Sequence, residues 1–217
     1  MQQVLRGLKS LAGPFQSFVI AAAPEQPLPL FQEWLQAAID AGIAEAHAMT
    51  LSTVDEQGMP DARVLILKNL DEQGWYFATT RRSPKSKQVE ATHKAALTFY
   101  WQPLGRQVRI RGEVIAASAQ VCQSDFQERP VGSRAGALLG RQSDVLLNEQ
   151  ELINGLAQQR QRVEHDPTLA NPDWVVYRVE AHEVEFWQGD TERNHVRLRY
   201  RRTESTNTGW IKERLWP

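Results

Sequence analysis

Two cations flank a short apolar run in the segment Arg63-Val64-Leu65-Ile66-Leu67-Lys68. An arginine offers a planar two-pronged donor and a lysine offers a point charge, so the pair suits an anionic ligand at the rim of a sheet. Charged strand ends are also commonly just solvated, which is the alternative interpretation. Residues five apart lie on opposite faces of a regular strand, so both side chains reach one ligand only if Lys68 has already left the strand.

The segment Ser83-Pro84-Lys85 predicts a second anion-binding element. Serine is a favoured N-cap and proline a favoured first helical residue, so a short helix is expected from Pro84 to about His93. The free N–H groups of its first turn, the helix dipole, the hydroxyl and the lysine all attract a phosphate. Further donors precede it: Thr79, Thr80, Arg81 and Arg82. An ordinary helix cap would explain the same residues without a ligand.

Two later clusters combine polar, basic and aromatic side chains. Arg141-Gln142-Ser143 follows the glycine at which a predicted apolar helix ends. The segment Glu185–Gly189, which contains Trp187, leads into four basic residues at alternate positions, namely Arg193, His195, Arg197 and Arg199. On a single strand these four would line one face and would suit a planar anionic ligand beside the tryptophan. Plain solvation or single-stranded nucleic acid would suit the same face.

Composition and missing motifs exclude several classes of protein. With 25 Lys and Arg against 26 Asp and Glu, the net charge is −1, which argues against a general nucleic-acid binder. The single cysteine, Cys122, excludes an internal disulfide framework and a cysteine zinc cluster. The five histidines show no metal-ligand spacing, so no metal is predicted. Signatures of P-loop, dinucleotide-binding, serine-hydrolase and zinc-protease sites are missing.

The first 27 residues are expected to be a flexible N-terminal extension, and residues 28–217 a single domain. An apolar stretch at Phe18–Ala23 weakly resembles a signal peptide, but it is short, and Gly13-Pro14 interrupts the segment before it. No run of about 18 apolar residues is present, so no transmembrane helix is predicted. A reducing cytoplasm is the expected location, given one cysteine.

Hydrophobic periodicity predicts a mainly β protein with flanking helices around these clusters. An amphipathic helix is predicted over 29–41, and helical segments over 118–160 with breaks at 129–132 and Gly140. The segment 165–172 is predicted to be a polar loop. Short strands are predicted over 48–54, 62–67, 75–79, 95–101, 107–116, 174–180, 183–188, 196–201 and 209–215. Their glycine-bearing turns indicate antiparallel pairing in a barrel or sandwich.

Taken in their order and spacing, these segments resemble the pyridoxamine 5′-phosphate oxidase family of FMN-binding split-barrel enzymes. The resemblance covers about Leu28 to Pro217. It is carried by Arg63–Lys68, Ser83-x-Lys85, Gly105–Val108, Arg129-Pro130 with Ser133, Gln142-Ser143, Glu185–Gly189, Arg193-x-His195-x-Arg197 and Trp210–Pro217.

The resemblance implies a six-stranded antiparallel split β-barrel with flanking helices, an α+β fold, assembled as a homodimer with FMN at the interface. One side of FMN would be held by Arg63, Val64, Leu65, Ile66, Leu67, Lys68, Ala78, Thr79, Ser83, Lys85 and Gln107. The residues implied to close over FMN, from the other subunit, are Gln142, Ser143, Trp187 and Arg197. The substrate phosphate would be held by Lys68, Arg129 and Ser133. Arg193 and His195 would lie over the substrate's pyridine ring as binding and catalytic residues.

The implied reaction is oxidation of pyridoxamine 5′-phosphate or pyridoxine 5′-phosphate to pyridoxal 5′-phosphate. A hydride would pass to the flavin and O₂ would reoxidise it, so the cofactor carries the redox chemistry while the protein supplies position and charge.

The chain departs from the family pattern at several positions. Pro84 stands where the family has an arginine, which leaves Arg81 or Arg82 as replacement donors. Asp125 stands where the family has a tyrosine, and a carboxylate repels a phosphate. Asn194 and Val196, the neighbours of His195, also differ from the usual residues. The FMN site is therefore expected to be better preserved than the substrate site.

Three functions stay open at this point. The first is oxidation of B6 phosphates, the second is oxidation of another planar substrate of the phenazine-biosynthesis type, and the third is non-catalytic binding of flavin or B6. Asp125 separates the first two, because only a B6-phosphate enzyme needs a phosphate clamp. Turnover with O₂ separates both enzymes from a binding protein.

Overall fold

One antiparallel sheet of nine strands organises the protein, whose 217 residues are all described by a computed structural model. The strands are β1 (Ala48–Val54), β2 (Pro60–Ile66), β3 (Asn69–Asp71), β4 (Gly74–Thr80), β5 (Lys94–Trp101), β6 (Arg106–Ala116), β7 (Trp174–Gln188), β8 (Val196–Arg202) and β9 (Trp210–Leu215). Their order is β2-β1-β5-β6-β7-β4-β3, with β8 pairing to β7 and β9 to β8. The sheet curls into a half-barrel, as in split-barrel proteins.

Six helices flank the sheet. They are α1 (Gln2–Gly7), α2 (Pro27–Asp40), α3 (Pro84–Thr92), α4 (Ala119–Gln127), α5 (Val131–Leu139) and α6 (Glu149–His165). Ser83, Ser118 and Asn148 cap the starts of α3, α4 and α6 with their side-chain oxygens. Helix α6 ends at His165, five residues past the predicted end at 160. Its last two turns are mostly polar, but they include Val163, which is buried. No helix combines the length and the apolar composition needed to cross a membrane.

Helix α2 provides the aromatic centre of the core. Its residues Phe31 and Trp34 are at most 1% exposed. The Phe31 ring meets Phe99 at 5.0 Å and Trp75 at 5.6 Å, and Trp34 meets Phe186 at 5.2 Å, all in edge-to-face geometry. Such aromatic pairs add stability beyond the area that they bury. The amphipathic helix predicted from the sequence therefore packs against one face of the sheet.

Strand β7 corrects two expectations at once. The predicted strands 174–180 and 183–188 are one continuous strand, because a bulge opposite Arg111 and Gly112 absorbs the extra residue without breaking the pairing to β6. A side chain at Gly112 would collide with the Glu180 carbonyl, so the bulge requires glycine there. The implied six strands become nine, since this long strand pairs with β4 near its start and with β8 near its end, and β3 forms a hairpin with β4.

The segment before α2 contacts the domain at several points. The Phe18 ring packs edge-on against Trp34 at 5.1 Å. The Tyr200 hydroxyl donates to the Pro24 carbonyl at 2.7 Å, and the Lys212 ammonium donates to the Ala23 carbonyl at 3.0 Å. The boundary at residue 27 stays a prediction, with these contacts on its N-terminal side.

Candidate functional site

The guanidinium of Arg63 is held at the edge strand β2 by three polar neighbours. Its Nη1 donates to the Thr53 hydroxyl at 2.6 Å, while its Nη2 donates to the Gln88 amide oxygen at 3.2 Å and pairs with Asp61. Only 19% of the Arg63 side chain is exposed. These contacts fix a cation beside the apolar residues that follow it on the strand.

Lys68 has left the regular strand, as a shared site with Arg63 requires. Strand β2 ends at Ile66, and the Lys68 backbone N–H donates to the Tyr76 carbonyl at 2.8 Å. The side chain of Lys68 lines the same cavity as Val64 and Ile66. The condition for a shared ligand is met in the backbone, although Arg63 and Lys68 line different cavities.

The start of α3 holds a buried cation without a counter-ion. Ser83 caps the helix, and Pro84 occupies its first turn, as predicted. The Lys85 side chain is buried, with the residue 6% exposed, and it makes no ion pair within 4.0 Å. Burial lowers the pKa of the Lys85 ammonium, and the nearby Arg63 charge lowers it further. An anion placed here would compensate the Lys85 ammonium and the helix dipole, whereas Arg63 already pairs with Asp61.

Neither candidate substitute for the donor missing at Pro84 is directed to this site. Arg81 Nη1 pairs with the Glu90 carboxylate at 3.0 Å, and Arg82 Nε pairs with Asp173 at 2.6 Å. Both guanidiniums are thus occupied by carboxylates. The anion site at α3 therefore rests on Arg63, the Lys85 ammonium and the Lys85 backbone N–H, because Pro84 has no N–H and Ser83 caps the N–H of Ser86.

Two cavities that share Val64, Leu65 and Gln142 bring most of the predicted residues together. The smaller, of about 380 Å³, is also lined by Arg63, Lys85 and Ser143. The larger, of about 600 Å³, is also lined by Ile66, Lys68, Ala78, Thr79, Arg129 and Ser133. Leu67 and Ser83 line neither cavity, because both are buried, Leu67 in the hydrophobic core. Gln142 and Ser143 lie here within the same chain as Arg63.

Arg129 brings a second unpaired cation to the larger cavity. Its guanidinium carbon lies 4.2 Å from the centre of the Trp174 ring, and its buried Nε has no hydrogen-bond partner. Burial lowers the pKa of Arg129, while the charge of Asp125 opposes that shift. Stacking on the indole keeps the guanidinium plane in place and leaves its nitrogens available to an anion.

Asp125 projects from α4 to contact Lys68 and Trp174, two residues that line the larger cavity. Its Oδ1 lies 2.9 Å from the Lys68 ammonium, and its Oδ2 accepts a hydrogen bond from the Trp174 indole at 2.8 Å. The side chain is only 15% exposed. The carboxylate thus neutralises Lys68, rather than Arg129, among the cations expected to hold a substrate phosphate.

A second group of predicted residues forms one row across three strands. Gln107 on β6 pairs in register with Trp187 on β7, which pairs in turn with Arg197 on β8. The Trp187 ring lies 4.8 Å from the His195 ring. Residues opposite each other on adjacent strands project from the same face, so this row presents an amide, an indole and a guanidinium together.

The expectation that four basic residues share one strand face is wrong for two of them. Strand β8 begins at Val196, so Arg193 and His195 lie in the preceding turn, with Arg193 at φ +70°. Asp190 closes this turn: its carboxylate accepts from two backbone N–H groups, and its own N–H donates to His195 Nδ1 at 3.1 Å. A neutral His195 therefore carries its proton on Nε2.

The two predicted basic residues that do lie on β8 are paired with carboxylates. Arg197 pairs with Glu185 at 2.9 Å, and Arg199 pairs with Glu213 at 2.7 Å. An open cationic face for nucleic acid is thus not formed. The sequence does not predict these ion pairs. The acids lie on β7 and β9, and which acid faces which arginine depends on how these strands pair with β8.

The two groups of site residues are far apart along one chain. Thr79 of the first group pairs with Val175 at the start of β7, whereas Trp187 of the second group lies near its end. From 175 to 187 is twelve residues, or about 40 Å along the strand at about 3.3 Å per residue. Neither Trp187 nor Arg197 lines either of the two cavities that hold the first group.

Trp174 is a site residue that sequence reasoning missed. It pairs with Thr80 at the start of β7, stacks under Arg129 and donates to Asp125. The sequence marks it only as the first residue of a strand, since the pairing of β4 with β7 joins segments about 95 residues apart.

An antiparallel sheet curled into a half-barrel, with flanking helices, is the fold of the split-barrel class of protein. The chain belongs to the pyridoxamine 5′-phosphate oxidase family. Residues 35–188 match the family model described as "Pyridoxamine 5′-phosphate oxidase", and residues 174–217 match "Pyridoxine 5′-phosphate oxidase C-terminal dimerisation region". The resemblance found in the sequence is thereby confirmed, and the second match supports a homodimer.

Relatives of known name place the chain among oxidoreductases. It is 44% identical over 199 residues to a pyridoxine/pyridoxamine 5′-phosphate oxidase of Pseudomonas savastanoi pv. phaseolicola, with 91% of each chain covered. PhzG of Burkholderia lata, solved with tetrahydrophenazine-1-carboxylic acid, is 28% identical, with a TM-score of 0.86 over 94% of this chain and 100% of that one. An FMN-binding protein of Nostoc punctiforme shares the fold, at 18% identity and a TM-score of 0.72 over 90% of this chain and 100% of that one.

Proposed function

We propose that this protein is an FMN-dependent oxidase that converts pyridoxamine 5′-phosphate or pyridoxine 5′-phosphate to pyridoxal 5′-phosphate with O₂ as the acceptor. The observation that carries the proposal is the buried Lys85, which has no counter-ion and lies beside Arg63 at the start of α3. The named activity of the Pseudomonas relatives supports the substrate.

The residues of the first group fit a phosphate-bearing flavin. Arg63 and Lys85, the latter through its ammonium and its backbone N–H, would bind the phosphate, since each supplies positive charge or a donor. Val64, which is 67% exposed, would pack with Leu65 and Ile66 against the apolar ring system. FMN, when bound, supplies the redox chemistry by accepting a hydride from the substrate and passing electrons to O₂.

The second group would complete the site from the partner subunit of a homodimer. Trp187 and Arg197 line neither cavity of the first group and lie within the segment that matches the C-terminal dimerisation region, so we assign them to the flavin site of the partner. In a two-fold dimer each chain would offer its row to the other, and two equal sites would result. Gln107 belongs to this row, so we assign it to the partner's contribution.

Arg193 and His195 would orient the substrate over the flavin. Their turn is rigid because Asp190 closes it with three hydrogen bonds, and the Nε2–H of a neutral His195 is left to donate to a substrate oxygen. Arg129 and Ser133, which line the larger cavity, would hold the substrate's phosphate. No side chain of the group needs to act as a nucleophile.

One observation favours a second candidate, a planar substrate that carries a carboxylate. Asp125 neutralises Lys68, so Arg129 is left as the uncompensated cation near this end of the cavity. A single positive charge matches a carboxylate better than a phosphate dianion. PhzG, solved with a reduced phenazine carboxylic acid, is an example of such a ligand on this fold.

Substrate turnover by the FMN-loaded protein tests the proposal. The protein is incubated aerobically with pyridoxine 5′-phosphate, with unphosphorylated pyridoxine and with a reduced phenazine carboxylic acid. The proposal predicts pyridoxal 5′-phosphate and hydrogen peroxide in equal amounts, from the phosphate ester only. Oxidation of the carboxylic acid alone would favour the second candidate, and an FMN-loaded protein that oxidises none of the three would contradict the oxidase assignment.

A further inference from the structure

Glu185 is a buried carboxylate directed at Arg197. Its side chain is 7% exposed, and its register partners are Arg109 on β6 and Arg199 on β8. The carboxylate nevertheless turns diagonally, so that Oε1 accepts from both Nε and Nη2 of Arg197 at 2.9 Å. Arg109 Nη1 lies farther away, 3.5 Å from Oε2. Two charge-assisted contacts to one oxygen fix the plane of the Arg197 guanidinium.

The C-terminal backbone holds the other end of the same guanidinium. Arg197 Nη1 donates to the Trp216 carbonyl at 3.0 Å, just past the end of β9. A guanidinium has five N–H bonds, and three of them are now engaged. The two that remain lie on the terminal nitrogens, one on each.

We propose that Glu185 and the Trp216 carbonyl are positioning groups for Arg197, which turn its two terminal N–H bonds toward the flavin site of the partner subunit. Glu185 occupies the Nε–Nη2 fork, so Arg197 meets its ligand through single N–H donors. The inference rests on the proposed role of Arg197 at FMN. It makes the last two residues of the chain part of the cofactor site.

Glu183, on the same strand, provides a matched control that separates a positioning role of Glu185 from a purely structural one. Glu183 lies two residues earlier on the same face, and its carboxylate lies 3.5 Å from both Arg111 and Arg199 but does not contact Arg197. Removing either acid takes one charge from β7. Only the change at Glu185 frees the guanidinium of Arg197.

The test compares FMN dissociation constants, measured by flavin fluorescence, for wild type, E185Q, E183Q and a chain that ends at Leu215. We expect E185Q to bind FMN roughly tenfold more weakly, as for loss of a charge-assisted contact, and the shortened chain to lose affinity in the same direction. E183Q should stay within about twofold of wild type. In an Arg197→Ala background, neither E185Q nor the shortening should weaken binding further, because the group they position is gone.

A second readout does not depend on FMN. Hydrogen exchange at Arg197 Nε–H, followed by NMR of the apoprotein and assigned with Arg197→Lys, should be slow in wild type and E183Q and fast in E185Q. Should E185Q fail to fold, E185D tests the same contact, since its shorter carboxylate no longer reaches both nitrogens.

Three results would overturn the inference. They are unchanged or tighter FMN binding by E185Q, an equal E185Q loss in the Arg197→Ala background, or equally fast Nε–H exchange in wild type and E185Q. The proposed function fails separately, when the wild type neither binds FMN nor oxidises substrate. If the wild type binds FMN and neither Arg197→Ala nor E185Q changes the FMN dissociation constant, the positioning role alone is contradicted.

Discussion

The ammonium of Lys68 lies 2.9 Å from the carboxylate of Asp125, which also accepts a hydrogen bond from the Trp174 indole. A phosphate that entered this end of the cavity would compete with that carboxylate for Lys68. Two unit charges 4 Å apart cost about 4 kcal/mol at an effective dielectric near 20, although solvent around Lys68, whose side chain is 31% exposed, reduces the figure. We therefore expect the charge of residue 125 to affect how well the pocket holds a dianion.

Replacing Asp125 by asparagine should improve binding of a phosphorylated substrate. The amide keeps an oxygen for the Trp174 indole but removes the charge that neutralises Lys68. We expect KM for pyridoxine 5′-phosphate to fall about tenfold, equivalent to about 1.4 kcal/mol. Asp125→Tyr should lower it as well, since a phenol donates to a phosphate, while KM for unphosphorylated pyridoxine should not change.

Glu128→Gln is the matched control for that experiment, since Glu128 follows α4 at an exposed position and accepts only from Ser124. Unchanged KM values for both substrates in Asp125→Asn would show that residue 125 does not influence phosphate binding. The second candidate substrate class would then lose its main support.

Replacing Lys85 by methionine should weaken FMN binding and stabilise the apoprotein. The buried ammonium has no counter-ion until a phosphate arrives, so its removal relieves a desolvation cost in the empty protein. If that cost is about 1 kcal/mol, Tm of the apoprotein rises by about 2–4 °C. Lys87→Met, on the exposed side of the same helix, should change neither quantity. A Lys85→Met apoprotein that melts below wild type, with FMN affinity intact, would show that the lysine serves packing instead.

FMN binding should weaken as the pH becomes alkaline, at a pH below that at which an ordinary lysine loses its proton. Burial, aided by the charge of Arg63, lowers the pKa of Lys85 from the usual value of about 10.4. Above the lowered pKa the lysine becomes neutral and stops attracting phosphate. The unfolded chain still holds the proton between the two pKa values, so the contribution of Lys85 to apoprotein stability rises with pH over the same window. Fluorescence titrations from neutral to alkaline pH should show the loss in wild type but not in Lys85→Met. Parallel pH curves for the two proteins would assign the titration to another group.

The local elements of the first group were predictable from the sequence. Ser83 and Pro84 mark the start of α3 by their own backbone preferences. Antiparallel rhythm accounts for the hairpins β1–β2, β3–β4, β5–β6 and β8–β9, but not for the pairing of β1 with β5. The pairings of β7 with β6 and β4, and the bulge at Gly112, join segments more than 60 residues apart, which no local pattern encodes.

The charges of the site show the same division. Sequence identifies Arg197, Arg199 and Asp125 as candidates, but not which acid neutralises which base. The structure pairs Asp125 with Lys68 and Glu185 with Arg197, because α4 and β7 bring residues from distant segments together. Arg193 and His195 share the alternation of Arg197 and Arg199 but precede the predicted strand 196–201, and Asp190 closes a turn there that removes both from the face of β8.

Subunit complementation tests the central claim, that each flavin site takes Arg63 and Lys85 from one chain and Trp187 and Arg197 from the other. Arg63→Ala and Arg197→Ala proteins, each inactive alone, are mixed under conditions in which labelled subunits demonstrably exchange. In a two-fold dimer half of the dimers become mixed, and each mixed dimer regains one intact site, so about one quarter of wild-type activity and FMN binding should return. Full exchange of subunits with no recovery of activity or FMN binding would contradict a site shared between chains.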